Sequence, residues 1–463
     1  MKHIKIPLIL KKMNSVFQEN GYQAFLVGGA LRDMVCGKTV ADWDVATDAT
    51  PEQVISIFPK VIPTGIAHGT VTVLFHGESI EVTTFRTESG YSDGRHPDKV
   101  EFGHDIEGDL SRRDFTMNAM AASLKDGLLV DPFNGQMDIK NKLIKTVGNP
   151  EDRFLEDGLR AIRGIRFSSQ LGFQIEKATL EAIPKTLHKT FQISIERFRD
   201  EFIKILKTDI PSKALFLMEK TGILAHFIPE LIECRNVIQA DCRGFHQFDV
   251  LDHLFYACDG ASKENLAVRL AALFHDIGKP GVKKTQQRDG QTIYTFFNHE
   301  KLSSKITLEI MTRLRFPKSE TEYVCHLINN HMFHYDGTWS EAAIRRFIVR
   351  VTSPAIPDLF DLRIADVYGM TRTPPVIKEG RWSQNLIELM DRIKQIESKN
   401  EALCLKNLAV NGSDLIANGI PTGKAMGRIL QELFETVLDE PECNTKENLL
   451  RIAINIAKRD GII

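Results

Sequence analysis

Two regimes of hydrophobic patterning divide the chain. Up to about residue 145, short apolar runs with period-two alternation are mixed with helical stretches. The segment VIPTGIAHGTVTVLFHGESIEVTTFR (61–86) predicts two strands, GTVTVLF and SIEVTTF, joined at His76-Gly77-Glu78. In FLVGGALRDMVCG (25–37) an apolar strand ends at Gly28-Gly29 and a helical pattern begins at once. Beyond Pro150 apolar residues recur at steps of three and four, and Pro184, Pro211, Pro229, Pro280 and Pro317 punctuate them. The pattern predicts an α+β chain, with a small mixed head of antiparallel-rich sheet plus helices. An elongated all-α remainder follows, with a seam near TRTPPVIKEGRW (371–382).

Composition changes this picture little. The 463 residues carry a net charge of −2, so nucleic-acid binding has to come from local basic surfaces. Seven scattered cysteines form no C-x-x-C and no zinc spacing, as expected of reduced thiols in a cytoplasmic protein. The start, MKHIKIPLILKKMN, is too short in its apolar stretch for a secretory signal. No run approaches the ~18 apolar residues that span a membrane. Oligomeric state is not legible.

The candidate chemistry begins at GKTVADWDVATDAT (37–50). On a strand over 40–46, Asp42 and Asp44 share a face, with Cα atoms roughly 6–7 Å apart. Such a pair repels unless a cation or proton intervenes, and Mg²⁺ is the usual cation where carboxylates meet phosphates. Alone, the motif occurs by chance too often to decide, and its plain reading is a polar turn capped by Asp. Upstream, Gly28-Gly29 lets backbone approach an anion at a helix start, and Arg32, next to Asp33, suits a triphosphate. Glu81 is the one acid within its strand, either a third metal-facing carboxylate or a solvent-facing residue. In DLSRRDFTMNAMA (109–121), Arg113 suits phosphate. Asp114 and Asn118, four residues apart on an expected helix, suit ribose hydroxyls.

In EDGLRAIRGIRF (156–167), Asp157, Arg160, Arg163 and Arg166 recur every three residues on an expected helix. The stripe is a salt-bridge ladder or a base reader. Cytosine and adenine both present an amino group beside a ring-nitrogen acceptor. An Asp157 carboxylate and an Arg160 guanidinium match that pair and mismatch guanine and uracil.

Together LVGGALRD, ADWDVAT, SRRDFTMNAMA and EDGLRAIRGIRFSSQLGF resemble the class II tRNA nucleotidyltransferase / poly(A) polymerase family, motif by motif over the first ~170 residues. The resemblance implies that Asp42 and Asp44 hold catalytic Mg²⁺. It implies triphosphate contacts from Gly29, Arg32 and Arg113, and base reading by Asp157 and Arg160 with Arg163 and Arg166. The expected activity is template-independent addition of CCA, from CTP and ATP, to a tRNA 3′ end, with release of pyrophosphate. A full-length loop TESGYSDGRHPDKVEF (87–102) argues against CC-only addition, and RFSSQLGF is more similar to CCA-adding than to poly(A)-adding members.

The helical remainder places His253, His275-Asp276 and Asp366 in apolar helical patterns, with His299 and His331 between. These are packed core residues or ligands for a metal ion. The pattern resembles the HD phosphohydrolase family, which implies His253, His275, Asp276 and Asp366 as ligands of a divalent metal of unknown identity. His299 and His331 would allow a second ion, with phosphatase or cyclic phosphodiesterase activity. The rival is a scaffold. In the tail, NGIPTGKAMG with Lys424 and Arg428 is a tRNA phosphate contact or a plain helical turn.

The expected domains are a nucleotidyltransferase head (1–145), a helical neck with the base-reading motif (146–235), an HD body (236–375) and a helical tail contacting tRNA (376–463). The alternatives are an A-adding enzyme or poly(A) polymerase, an HD phosphohydrolase with a nucleotide-binding head, and a non-catalytic RNA-binding module.

Overall fold

A computed structural model describes residues 3–40, 42–66, 69–89, 99–103, 105–240, 244, 246–374, 376–377, 380–399 and 402–463. The chain forms two compact units, Met1–Ile232 and Glu233–Ile463. The α+β reading holds, with a sheet-bearing head and a helical remainder.

The head strands are β1 (Ala24–Val27), β2 (Trp43–Thr47), β3 (Val61–Gly65), β4 (Thr70–Phe75), β5 (Glu78–Thr84), β6 (Arg86–Ser89), β7 (Lys99–Phe102), β8 (Ala121–Ser123) and β9 (Leu129–Val130). Seven of them form one sheet in the order β3-β4-β5-β2-β1-β8-β9. Only β2 and β5 run parallel; the other pairs are antiparallel. β6 and β7 pair separately, and the loop residues between them, 90–98, lie outside the described residues.

The β4–β5 turn is the two-residue His76-Gly77, both at positive φ (48° and 89°), the geometry that matches strand twist in a tight hairpin. Glu78 belongs to β5, opposite Phe75, and not to the turn. The strand carrying the aspartates starts at Trp43, so Asp42 lies in the bend before it.

Two expected helices are corrected. Thr116–Asn118 is one 3-10 turn, and the small-residue run after it becomes β8, paired with β1. Pairing on the buried sheet overrides the helix preference of Ala and Met. Asp157 also leaves its expected helix. One helix ends at Glu156, Asp157 is extended (φ −145°, ψ 110°), and the next helix is Leu159–Leu171. The Asp157 Oδ1 accepts the Leu159 N–H at 3.0 Å, so the residue caps the second helix and leaves its stripe.

The remainder is not wholly helical. β10 (Leu143–Ile144) and β11 (Gln174–Ile175) make a small parallel pair. In the second unit β12 (Lys284–Arg288) and β13 (Gln291–Thr295) form a hairpin through Asp289-Gly290, again at positive φ (52° and 75°). Helices Val250–Gly260, Leu266–Phe274, His299–Arg313, Lys318–Asn330 and Ile356–Thr371 surround the histidines. A tail core forms around Leu415, Ile429, Leu433, Leu449 and Ala453. Arg428 of the tail pairs with Asp460 at 2.5 Å. Among the described residues no helix is long and apolar enough to cross a membrane.

Candidate functional site

The first unit carries an open cavity of about 760 Å³. Gly28, Gly29, Arg32, Asp42, Asp44, Glu81, Arg113, Asp114, Asn118, Asp157, Arg160, Arg163 and Arg166 all line it. Among the described residues nine cationic side chains face five acidic ones there, a balance suited to a polyphosphate with metal. Asp33 does not line the cavity; its Oδ1 accepts from Arg32 Nε at 2.9 Å and orients that guanidinium.

The carboxylates converge because of strand register. Asp44 of β2 lies opposite Glu81 of β5, so both leave the sheet on one face. Burial and the Glu81 charge push Asp44 up to about 6, against the pull of Arg113. A divalent cation relieves that crowding. Gly28 (φ +67°) closes the other wall: a Cβ there would sit 3.0 Å from Asp44 Oδ2 and 3.4 Å from Arg113 Nη1. The donor set and the open space before it suit a divalent cation.

A polar network fixes the arginines. Arg32, buried in the last turn of helix Gly28–Val35, donates to Asn118 Oδ1 at 3.0 Å, and Asn118 donates to Asp114 Oδ1 at 3.0 Å. Asp114 Oδ2 accepts from both Nε and Nη2 of Arg163 at 2.8 Å. Burial opposes the charge of Asp114, but Arg163 and the Asn118 amide outweigh it and hold its pKa at about 2. Asp114 and Asn118 thus do meet, and their first partners are protein groups. Arg160 pairs with Glu156 and donates to the Arg112 carbonyl at 3.0 Å. Asp157 Oδ2 accepts from Arg197 Nη2 at 2.8 Å. Each Asp157 oxygen keeps a further acceptor site.

Sequence reasoning missed several partners. Buried Asp109 holds Arg112 at 2.7 Å and Arg113 at 3.1 Å, a pairing legible in its i,i+3 and i,i+4 spacing. Glu201 holds Arg166 at 2.6 Å. The Phe167 ring lies against three guanidiniums, Arg166 (4.1 Å), Arg32 (5.1 Å) and Arg163 (5.4 Å).

In the second unit His253, His275, Asp276, His299, His331 and Asp366 are all buried and adjoin one another. His253 and His275 face each other through Nε2 at 3.1 Å, and His299 and His331 at 3.3 Å. Asp276 Oδ2 lies 3.3 Å from both His253 and His275 Nε2, and its Oδ1 lies 3.0 Å from His299 Nε2. Asp366 Oδ1 lies 3.4 Å from His253 Nε2 and 3.5 Å from His275 Nε2.

The tautomers follow from the backbone. Nδ1 of His275, His299 and His331 meets the carbonyls of Ala272 (2.9 Å), Phe296 (2.7 Å) and Ile328 (2.8 Å). A carbonyl only accepts, so these Nδ1 atoms carry the hydrogen, and in the neutral ring each Nε2 points inward as a lone pair. Lone pairs and carboxylates packed this way require positive charge. Burial pulls His275 down, yet Asp276 and Asp366 outweigh it and push it up to about 10. Burial and His275 push His331 down to about 3. Two overlapping donor groups can each hold an ion: His253, His275 and Asp366, and His275, Asp276 and His331. The motif reading missed Lys279, which grips Asp276 at 2.5 Å, and Arg363, which grips Asp366 at 2.9 Å. It also missed His246, which with them lines a cavity of about 490 Å³ over the cluster.

Comparison with known proteins finds four family matches along the chain. Residues 24–145 match the poly A polymerase head domain, and 172–234 the RNA- and SrmB-binding site of polymerase A. Residues 243–371 match the HD domain and 369–453 tRNA nucleotidyltransferase domain 2. The CCA-adding enzyme of Lactobacillus johnsonii is 33% identical over 438 residues, 93% of this chain and 92% of that one. The CCA-adding enzyme of Geobacillus sp. is 47% identical over 226 residues, 49% of this chain, and the match spans 55% of that relative's length. The crystal structure of the Bacillus stearothermophilus CCA-adding enzyme in complex with CTP covers 98% of both chains at 26% identity, with a TM-score of 0.71. Families of both kinds generally use divalent metals.

Proposed function

The chain belongs to the CCA-adding enzyme family and is a nucleotidyltransferase, and on that premise we propose that it adds CCA from CTP and ATP to tRNA 3′ ends. The observation that carries the reading is one cavity joining carboxylates, a glycine turn and arginines to the base-reading helix. Gly28 and Gly29 admit the phosphates, and Arg32 and Arg113 pair with their oxygens. Asp42, Asp44 and Glu81 would hold Mg²⁺. Bound there, Mg²⁺ supplies Lewis acidity to the attacking RNA 3′-hydroxyl, the α-phosphate and the departing pyrophosphate. Asp157 accepts from the amino group of cytosine or adenine, and Arg160 donates to the ring nitrogen beside it. Arg163 and Arg166 assist them from the same cavity, and Asp114 and Asn118 border the ribose.

The proposed division of labour follows the head (1–145), neck (146–235), HD body (236–375) and tail (376–463), with the tail meeting tRNA. The six described cysteines are free thiols, in keeping with a cytoplasmic setting.

The inward lone pairs of the histidine cluster favour a second activity. His253, His275, Asp276 and Asp366, with His299 and His331, would hold one or two divalent ions for phosphatase or phosphodiesterase chemistry. Lys279 and Arg363 orient the two carboxylates.

The test uses three tRNA transcripts, ending before CCA, after C and after CC, with Mg²⁺ and CTP, ATP or both. Ordered addition of C, C and A followed by a stop is the expected result. Addition of A alone to the CC-ended transcript marks an A-adding enzyme, and long A tracts mark a poly(A) polymerase. No addition to any transcript overturns the reading.

A further inference from the structure

The strands beyond the carboxylates carry an ordered set of hydroxyls. In β5, Ile80 and Val82 are buried, and Glu81 and Thr83 face the other way. In β4, Val71 and Val73 are buried, and Thr70 and Thr72 face the other way. Register places Thr72 opposite Glu81 and Thr70 opposite Thr83. Cross-strand partners share a face, so the row Asp44–Glu81 continues to Thr72, and Thr83–Thr70 runs beside it. The hydroxyls are coupled: Thr70 and Thr83 lie 3.0 Å apart, and Thr72 and Thr64 of β3 also lie 3.0 Å apart. Thr70 and Thr83 line the cavity.

Chemistry assigns this face a direction. In phosphoryl transfer the attacking and leaving oxygens lie roughly in line across the phosphorus. The leaving pyrophosphate belongs with Gly28, Gly29, Arg32 and Arg113. Gly28 follows β1, on one side of β2 in the sheet order. The attacking hydroxyl must therefore arrive from the other side, where β5 and β4 stand. Neutral hydroxyls suit a sugar-phosphate strand, since each donates to phosphate oxygen or accepts from a ribose hydroxyl.

We propose that Thr83 and Thr70, with Thr72 beside them, form the track for the last sugar-phosphate units of the RNA acceptor and aim its 3′-hydroxyl at the carboxylates. This rests on the proposed nucleotidyl-transfer reading. The assignment adds an acceptor subsite distinct from the triphosphate and base subsites, made by residues outside every motif named above.

The experiment compares the wild-type chain with Thr83→Val, the Thr70→Val/Thr83→Val pair and Thr83→Ser. Valine keeps the branched shape and strand preference, and serine keeps the hydroxyl. Binding of a CC-ended tRNA transcript and of ATP is measured separately in Ca²⁺, without turnover, alongside thermal melting. The expected result is acceptor binding weakened about 10-fold in the double variant, with ATP affinity kept within about 2-fold. Melting stays unchanged, and Thr83→Ser stays close to wild type. Unchanged acceptor affinity in the double variant overturns the proposal, as does equal loss for ATP, or a Thr83→Ser loss matching that of Thr83→Val. If the wild-type chain adds no nucleotide in Mg²⁺, the functional reading fails separately, because the binding comparison does not depend on turnover.

Discussion

Glu81 and Asp44 are register partners across the parallel pair β5–β2, and that pairing holds two carboxylates on one face of the head. Asp44, pushed up to about 6 by burial and by Glu81, keeps a proton that it would release at 3.8 when unfolded. Between those values the ion-free folded state binds more protons than the unfolded state. Stability from this group is therefore full below 3.8 and is lost as pH rises through about 6. Melting of the ion-free chain should fall over that window, and Mg²⁺ should restore it above the window. Mg²⁺ affinity should weaken as pH drops below about 6. Melting curves at several pH values, with and without Mg²⁺, check this, and a pH-independent Mg²⁺ effect counts against Asp44 as a ligand.

Asp42→Ala should lower nucleotide addition on the order of 10³-fold. Any phosphatase activity of the second unit should remain. Loss of both activities together would show that the two centres are not independent.

Gly28→Ala should be nearly as damaging. The residue sits at φ +67°, where a side chain costs about 1–2 kcal/mol. Its Cβ would also press on Asp44 Oδ2. The expected outcome is a lower kcat with modestly reduced melting. Wild-type turnover would place the phosphates elsewhere.

Asp157→Ala should relax base choice more than it weakens triphosphate binding. One base contact discriminates by about 1–3 kcal/mol, so the ratio of CTP and ATP use over GTP and UTP use should fall about 10-fold or more. Single-turnover rates with the four triphosphates measure it, and unchanged selectivity removes Asp157 from base reading.

His275→Ala removes the residue shared by both donor groups of the second unit. Elemental analysis should show loss of bound divalent metal, and hydrolysis of a phosphate ester should disappear. CCA addition in Mg²⁺ should persist. Metal content equal to wild type would mark the histidines as core packing.

Much of the head was legible because its chemistry coincides with local punctuation. Gly28-Gly29 marks a strand-to-helix switch in the pattern, and Asp42 and Asp44 interrupt an apolar run. The failures are tertiary. Ala121 and Ala122 favour a helix locally, yet pairing with Val27 and Leu26 of β1 makes them a strand. Asp157 matches the three-residue spacing of the arginines, but a capping bond takes it off their helix. The β12–β13 hairpin lacks apolar alternation, since β12 is exposed along its length, and only Asp289-Gly290 signals it. Arg197 and Glu201 lie far along the chain from Asp157 and Arg166, and only the folded chain brings these partners together.

The Asp114–Arg163 pair described above also bears on ionic strength. Its carboxylate is largely buried, so added salt screens it weakly. Attraction between protein and tRNA phosphates is exposed to those ions and weakens steeply with salt. Raising salt should raise the KM for tRNA while leaving the preference for CTP and ATP unchanged. Choice of base and grip on the RNA would then answer to different features of the solution, one insulated from it and the other governed by it.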